Sequence, residues 1–242
     1  MFQKYLKCKF VKRIKTTIVM ATARKPKEKK ELIDDNQIIA LYMNDVLENN
    51  HNTRNVFVFC KNNGIEEATF YSFFGSIEAI KQSIWTKFFE NALATIEREP
   101  NYIGYSDKNK LLTLYFTLFE ILTLNRSYVT FVLQENKEGL KHLKQLKHLR
   151  IQFKDFVEGI IETSTLGMGS KLAKVTKPVF SEGAWIQFLF LLKFWLEDNS
   201  KGFEKTDIVI EKSVNTVVDL LDTKPFENLI DLGKFLWKER KM

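Results

Sequence analysis

Turn-forming residues are scarce in this chain, and that scarcity limits its fold more than any other feature. There are only 10 glycines and 4 prolines in 242 residues. Sandwiches and barrels need a tight turn every few residues, so a chain this poor in turn formers must be built from long elements. The spacing of apolar residues says which kind. Ile39, Tyr42, Met43, Val46 and Leu47 recur at intervals of three and four, which places them on one face of a helix. The same spacing returns along most of the chain, and the reading is all-α.

Helix boundaries follow from local chemistry. Thr53 or Asn55 can cap a short second helix over residues 56–61, which Asn62, Asn63 and Gly64 close. A third short helix spans 66–74, ended by Gly75, and Ser76 caps a fourth that continues to about Glu99. Longer helices are expected over 111–124, 128–138, 140–163, 184–198 and 206–221, with a closing helix around Phe226–Trp237. Residues 165–183, which contain Gly167, Gly169, Pro178 and Gly183, read as a loop. The most apolar stretch, Trp185–Leu196, carries Lys193 and is too short to cross a bilayer's hydrocarbon, so it reads as a buried helix.

Charge is unevenly placed. The chain carries 37 Lys and Arg against 30 Asp and Glu, a formal +7. Residues 1–31 alone contribute +9, which leaves the remainder slightly acidic. Thr16–Met20 is too short for a secretory signal core. A start at Met20, followed by a flexible basic arm at Arg24–Lys30, is the simpler reading of this end. Cys8 and Cys60 form neither a disulfide framework nor a zinc site, which suits a reducing cytoplasmic compartment. His142 and His148, six residues apart, do not share a helix face. No phosphate loop, nucleophile elbow or paired-carboxylate motif occurs, so no enzyme, cofactor or metal is expected. The cationic stripe Lys137, Lys141, Lys144, Lys147, Arg150 and Lys154 reads as a solvated helix face.

Three short helices with a glycine turn between the second and third describe a helix-turn-helix. Residues 64–80, Gly-Ile-Glu-Glu-Ala-Thr-Phe-Tyr-Ser-Phe-Phe-Gly-Ser-Ile-Glu-Ala-Ile, resemble the signature of the tetracycline-repressor (TetR) family. Gly64, Thr69, Tyr71, Phe74, Ser76 and Glu78 match it outright, and Ile65, Ala68, Phe70 and Ile80 match conservatively. The resemblance covers roughly residues 36–85. It departs at Phe73 and Ile77, where the family commonly has His and Lys, and at Glu66 and Glu67 before the third helix.

The resemblance implies a basic tail over 1–33, a DNA-binding domain over 34–83 and a helical effector-binding and dimerisation domain over 84–242. It further implies a ligand-responsive regulator that binds a near-palindromic operator as a homodimer. Double-stranded DNA, a second copy of the chain and a small apolar effector are then the partners. DNA contacts are expected from Asn55, Glu67, Ala68, Thr69, Tyr71 and Ser72, and from the arm residues Arg24, Lys25 and Lys27. Thr69 and Ser72 suit phosphates or base edges, Tyr71 and Asn55 suit phosphates, and Glu67 suits a cytosine amine. Phe116, Phe119, Phe131 and Trp185 are candidates for an effector pocket, and Phe188, Trp195, Val214 and Val218 for the dimer interface. Between His51 and Glu90, four basic residues are balanced by four acidic ones. That balance motivates an alternative: a TetR-fold protein with weakened or lost DNA binding that carries an apolar or lipid ligand, or docks a protein partner.

Overall fold

The computed structural model describes residues 33–49, 55–134, 144–162 and 170–221. Arg24, Lys25, Lys27, Cys8, Thr53, His142 and the closing helix expected near Phe226 lie outside them. Among the described residues there are nine α-helices and no strands. They are α1 Asp35–Asn49, α2 Val56–Asn63, α3 Glu67–Phe73, α4 Ile77–Glu97, α5 Asp107–Leu124, α6 Arg126–Gln134, α7 Lys147–Glu162, α8 Ser170–Glu197 and α9 Glu204–Leu221.

These helices pack as two compact units. One holds the described residues up to Pro100 together with those of Thr117–Phe156; the other holds Asn101–Phe116 and the described residues from Val157 onward. In the first unit, Ile38, Tyr42 and Val46 of α1 have no exposed surface, as the apolar spacing predicts. Leu47 departs from that expectation and is partly exposed, because it sits at the edge of the apolar stripe. An aromatic series joins the first three helices edge to face. Tyr42 meets Phe59 at 5.7 Å and Phe59 meets Phe70 at 5.9 Å between ring centres. Each such pair adds roughly 0.5–1.5 kcal/mol beyond the area it buries. The core continues through Ile84, Trp85 and Phe89 of α4, and Phe89 packs near Phe153 and Phe156 of α7. An ion pair of 2.8 Å between Lys87 and Asp35 ties α4 to the start of α1. Helix α6 also packs on α1.

The second unit corrects one expectation. Residues 170–183 are helical and form the first half of the 28-residue α8, with Pro178 inside it. A proline removes one helix hydrogen bond. The helix nevertheless continues past it, and the next turn is tied to α7, where Glu158 Oε1 accepts from the Ser181 hydroxyl at 2.6 Å; within α8 the same hydroxyl lies 3.1 Å from the Pro178 carbonyl. Ala184, Trp185, Phe188, Leu191 and Trp195 are buried along the same helix. At this length α8 can match a bilayer's thickness, as the 12-residue apolar stretch alone cannot. Its polar ties show a helix packed into protein. Tyr115 of α5 donates to the Ala184 carbonyl at 3.0 Å and to Gln187 Oε1 at 3.2 Å. Gln187 Nε2 in turn donates to Ser213 Oγ of α9 at 2.9 Å. Burial pushes the Tyr115 phenol far above its ordinary range, so it stays neutral and acts as a donor.

Asp198 forms the corner between α8 and α9. Its Oδ1 accepts from Ser200 N and Oγ at 2.8 and 2.7 Å, and its Oδ2 from Thr206 N and Oγ1 at 2.9 and 2.7 Å. Burial alone would raise this carboxyl's pKa. The bonds from Ser200 and Thr206 outweigh burial and bring it to about 2.

Candidate nucleic-acid interface

The reading element begins with a cap and a turn that the sequence specifies. Asn55 Oδ1 accepts from Phe57 N at 2.9 Å and Val58 N at 3.4 Å, which starts α2. Gly64 ends α2 at φ 66° and ψ 29°, a left-handed conformation that glycine adopts without a Cβ penalty. Its N–H and that of Ile65 both satisfy the Cys60 carbonyl. The chain then reverses into α3 within three residues. Ser76 Oγ caps α4 by accepting from Ala79 N at 3.1 Å.

Helix α3 is sorted cleanly into an inner and an outer face. Phe70 is fully buried, and Phe74, four residues on, is almost so. Their ring centres lie 5.9 Å apart. Ala68, Tyr71 and Ser72 point outward, and Tyr71 is 52% exposed. Thr69 and Glu67 are half-buried at the flanks. The Ser72 hydroxyl donates back to the Thr69 carbonyl at 2.7 Å, which leaves its oxygen as an acceptor towards solvent. Cys60 is buried beneath this turn. Burial, and then the neighbouring Glu67 carboxylate, push its thiol pKa up, so it packs as a small apolar group.

Six of the nine expected DNA-contacting residues are described, and all six lie at the start of α2 or on α3. The departures at Phe73 and Ile77 separate in the structure. Phe73 is exposed, whereas Ile77, the first residue of α4, is buried and unavailable to a ligand. Exposed Phe57 and Val58 on α2 escape a periodicity reading because their neighbours Phe59 and Cys60 supply its core face. The cations near this surface are partly engaged. Lys87 pairs with Asp35, and Lys81 lies 3.6 Å from Glu78. Lys61 is exposed.

The other expected residues are placed as follows. Phe116 and Trp185 belong to the second unit, and Phe119 and Phe131 to the first. Trp185 and Phe119 are buried, and Trp185 stacks on Phe188 at 5.2 Å. Phe188, Trp195 and Val214 have no exposed surface even in the single chain, and Val218 is half-buried. They pack α8 against its own neighbours. The outward face of α8 carries Val179, Gly183, Ile186 and Phe190 instead, at spacings of four and three, with Ile186 65% and Phe190 54% exposed.

A family model described as the tetracyclin repressor-like C-terminal domain matches residues 110–236, over half of the chain. The chain belongs to the tetracyclin repressor-like family. Among solved structures, the crystal structure of a probable transcriptional regulatory protein, RHA5900, aligns at 18% identity and a TM-score of 0.40, covering 78% of this chain and 100% of that one. No curated protein matches the sequence. The repressor-like C-terminal segment lies after the helix-turn-helix pattern of α1–α3, with α4 between them, and the chain is a TetR-type transcriptional regulator by family.

Proposed function

We infer that this TetR-like chain binds operator DNA through α3 and the start of α2, as a homodimer, and that an apolar effector held by the region after residue 83 governs the binding. One observation carries this reading: the outer face of α3. Phe70 and Phe74 anchor the helix while Ala68, Tyr71 and Ser72 stand free, and a helix so held can lie in a major groove. The family-matched segment also enters the unit that holds the reading helices. Helix α6 packs on α1, which supports a direct route by which effector binding changes the set of α1–α3. By linkage, an effector that weakens DNA binding is itself bound more weakly by the DNA complex.

Dimerisation is assigned to the outward face of α8, where Ile186 and Phe190 are the exposed apolar anchors. The arm residues Arg24, Lys25 and Lys27 supply net positive charge that α2 and α3 lack, since Lys61 is balanced by Glu67. Titration of the full chain with the DNA upstream of its own gene, across a salt series, tests the reading. Each phosphate neutralised contributes about −0.9 to the slope of log affinity against log salt. Sequence-preferring binding with a clear salt slope, lost on Tyr71→Ala, is expected. Exposed Phe57, Val58 and Phe73 together with Glu66 favour the alternative of a protein or lipid partner at this surface. Absence of sequence preference even at low salt would select that alternative.

A further inference from the structure

We propose that α3 selects its half-site through thymine methyl groups, with Ala68 and the ring of Tyr71, three residues apart on one helix face, as the methyl-contacting surface; this rests on the reading of α3 as a major-groove helix. The argument starts from the groups α3 has available. Guanine is usually read by two donors from Arg or Lys on its O6 and N7, and adenine by the paired donor and acceptor of Asn or Gln. None of these four residue types occurs from Gly64 through Ile80. The exposed side chains of α3 are instead Ala68, Tyr71, Ser72 and Phe73. The Ser72 hydroxyl proton is engaged by the Thr69 carbonyl at 2.7 Å, and the carboxylates of Glu66 and Glu67 are acceptors only. The hydroxyls of Thr69 and Tyr71 are the remaining side-chain donors.

A surface of methyl, ring edge and acceptor has a definite complement in the major groove. An A·T pair offers the thymine C5-methyl beside the adenine N6 donor, which suits apolar and acceptor groups together. A G·C pair offers no methyl: its two adjacent guanine acceptors find no Arg or Lys donor here, and its cytosine N4 donor is left to a carboxylate such as that of Glu67. Phosphate attraction is also weak here, since Lys81 and Lys87 have intramolecular partners. More of the affinity must then come from contacts with base edges, which also carry the sequence information that phosphate contacts do not.

The experiment uses the full chain and a pool of random duplex DNA. After selection, the preferred site is resynthesised with uracil at one thymine at a time, which removes the methyl and keeps every base-pair hydrogen bond. Loss of one buried methyl is expected to weaken binding about four-fold at each contacted thymine, and to have no effect elsewhere. Ala68→Gln, at an exposed position, is expected to keep the melting temperature and to shift the preference towards adenine at one base pair. A selected site that is indifferent to uracil at every thymine would overturn the thymine proposal and leave operator binding standing. Failure to select any duplex would overturn operator binding itself, and the proposal with it.

Discussion

Phe70 and Tyr71 are adjacent in sequence and face opposite ways, so truncating each in turn separates stability from recognition. Phe70 has no exposed surface and touches three rings: Phe59 at 5.9 Å, Phe74 at 5.9 Å and Tyr71 at 5.6 Å. Phe70→Ala removes a buried ring from the aromatic series that joins α1, α2 and α3. Substitutions of this kind cost about 3–5 kcal/mol, made up of lost transfer energy and the cavity left behind. A loss of that size is a large share of the 5–15 kcal/mol that holds a typical domain together. Tyr71 is half exposed, so Tyr71→Ala forfeits mainly its edge contact with Phe70, about 1 kcal/mol. Urea unfolding followed by circular dichroism measures the first effect, and fluorescence-anisotropy titration on a selected operator measures the second. Phe70→Ala should lower the unfolding midpoint sharply, and Tyr71→Ala should keep the midpoint close to that of the parent chain while abolishing operator binding. Equal stability losses from the two changes would refute the assignment of inner and outer faces.

Three further outcomes are expected. Gly64→Ala places a Cβ where nothing lies within 4 Å, so its cost is the left-handed backbone alone, about 1–2 kcal/mol, visible as a lower melting temperature. The Asp198 carboxyl titrates at about 2 when folded, against an ordinary 3.8. Its contribution, on the order of 2 kcal/mol, is therefore full above pH 5 and fades as pH falls through 3.8 towards 2; melts from pH 7 to 2 on the parent chain and Asp198→Asn should converge at the acid end. The double change Ile186→Lys and Phe190→Lys should leave the fold intact, since both side chains face outward, and convert the proposed dimer to a monomer in sedimentation velocity.

Much of the fold can be read in the chain because it is encoded locally. The asparagine before Val56, the glycine at position 64 and the serine at position 76 each act within three or four residues, and each makes the hydrogen bond or adopts the backbone angle its chemistry suggests. The segment around Pro178 is different. Proline and glycine there favour a break on local grounds, yet the helix continues, with Glu158, 23 residues away, bonded to Ser181. No local pattern contains that partner. The same limit applies to the faces of α8. Its apolar residues lie on more than one side, so sequence alone cannot separate Phe188 and Trp195, which face inward, from Ile186 and Phe190, which do not.

The reading surface shows how an exposed group and a buried one can share one sequence signature. Thr69, Tyr71 and Phe74 all match the family pattern, yet only Phe74 serves the core and only Tyr71 is widely exposed. A match at Phe74 therefore reports that α3 is seated, whereas a match at Tyr71 reports what the seated helix can touch. The departures divide the same way. Ile77 replaces a commonly polar residue but is buried, so it affects packing at the start of α4 and leaves the outer surface unchanged. Phe73 is exposed and exchanges a potential cation for an aromatic ring. Of the two, Phe73 alone can alter recognition directly. Phe73→His, assayed at a pH below about 6 where an exposed imidazole is largely protonated, should therefore strengthen operator binding at low salt and steepen its salt dependence. Ile77→Lys should chiefly destabilise the helix-turn-helix, because it puts a charge into a buried site without a partner.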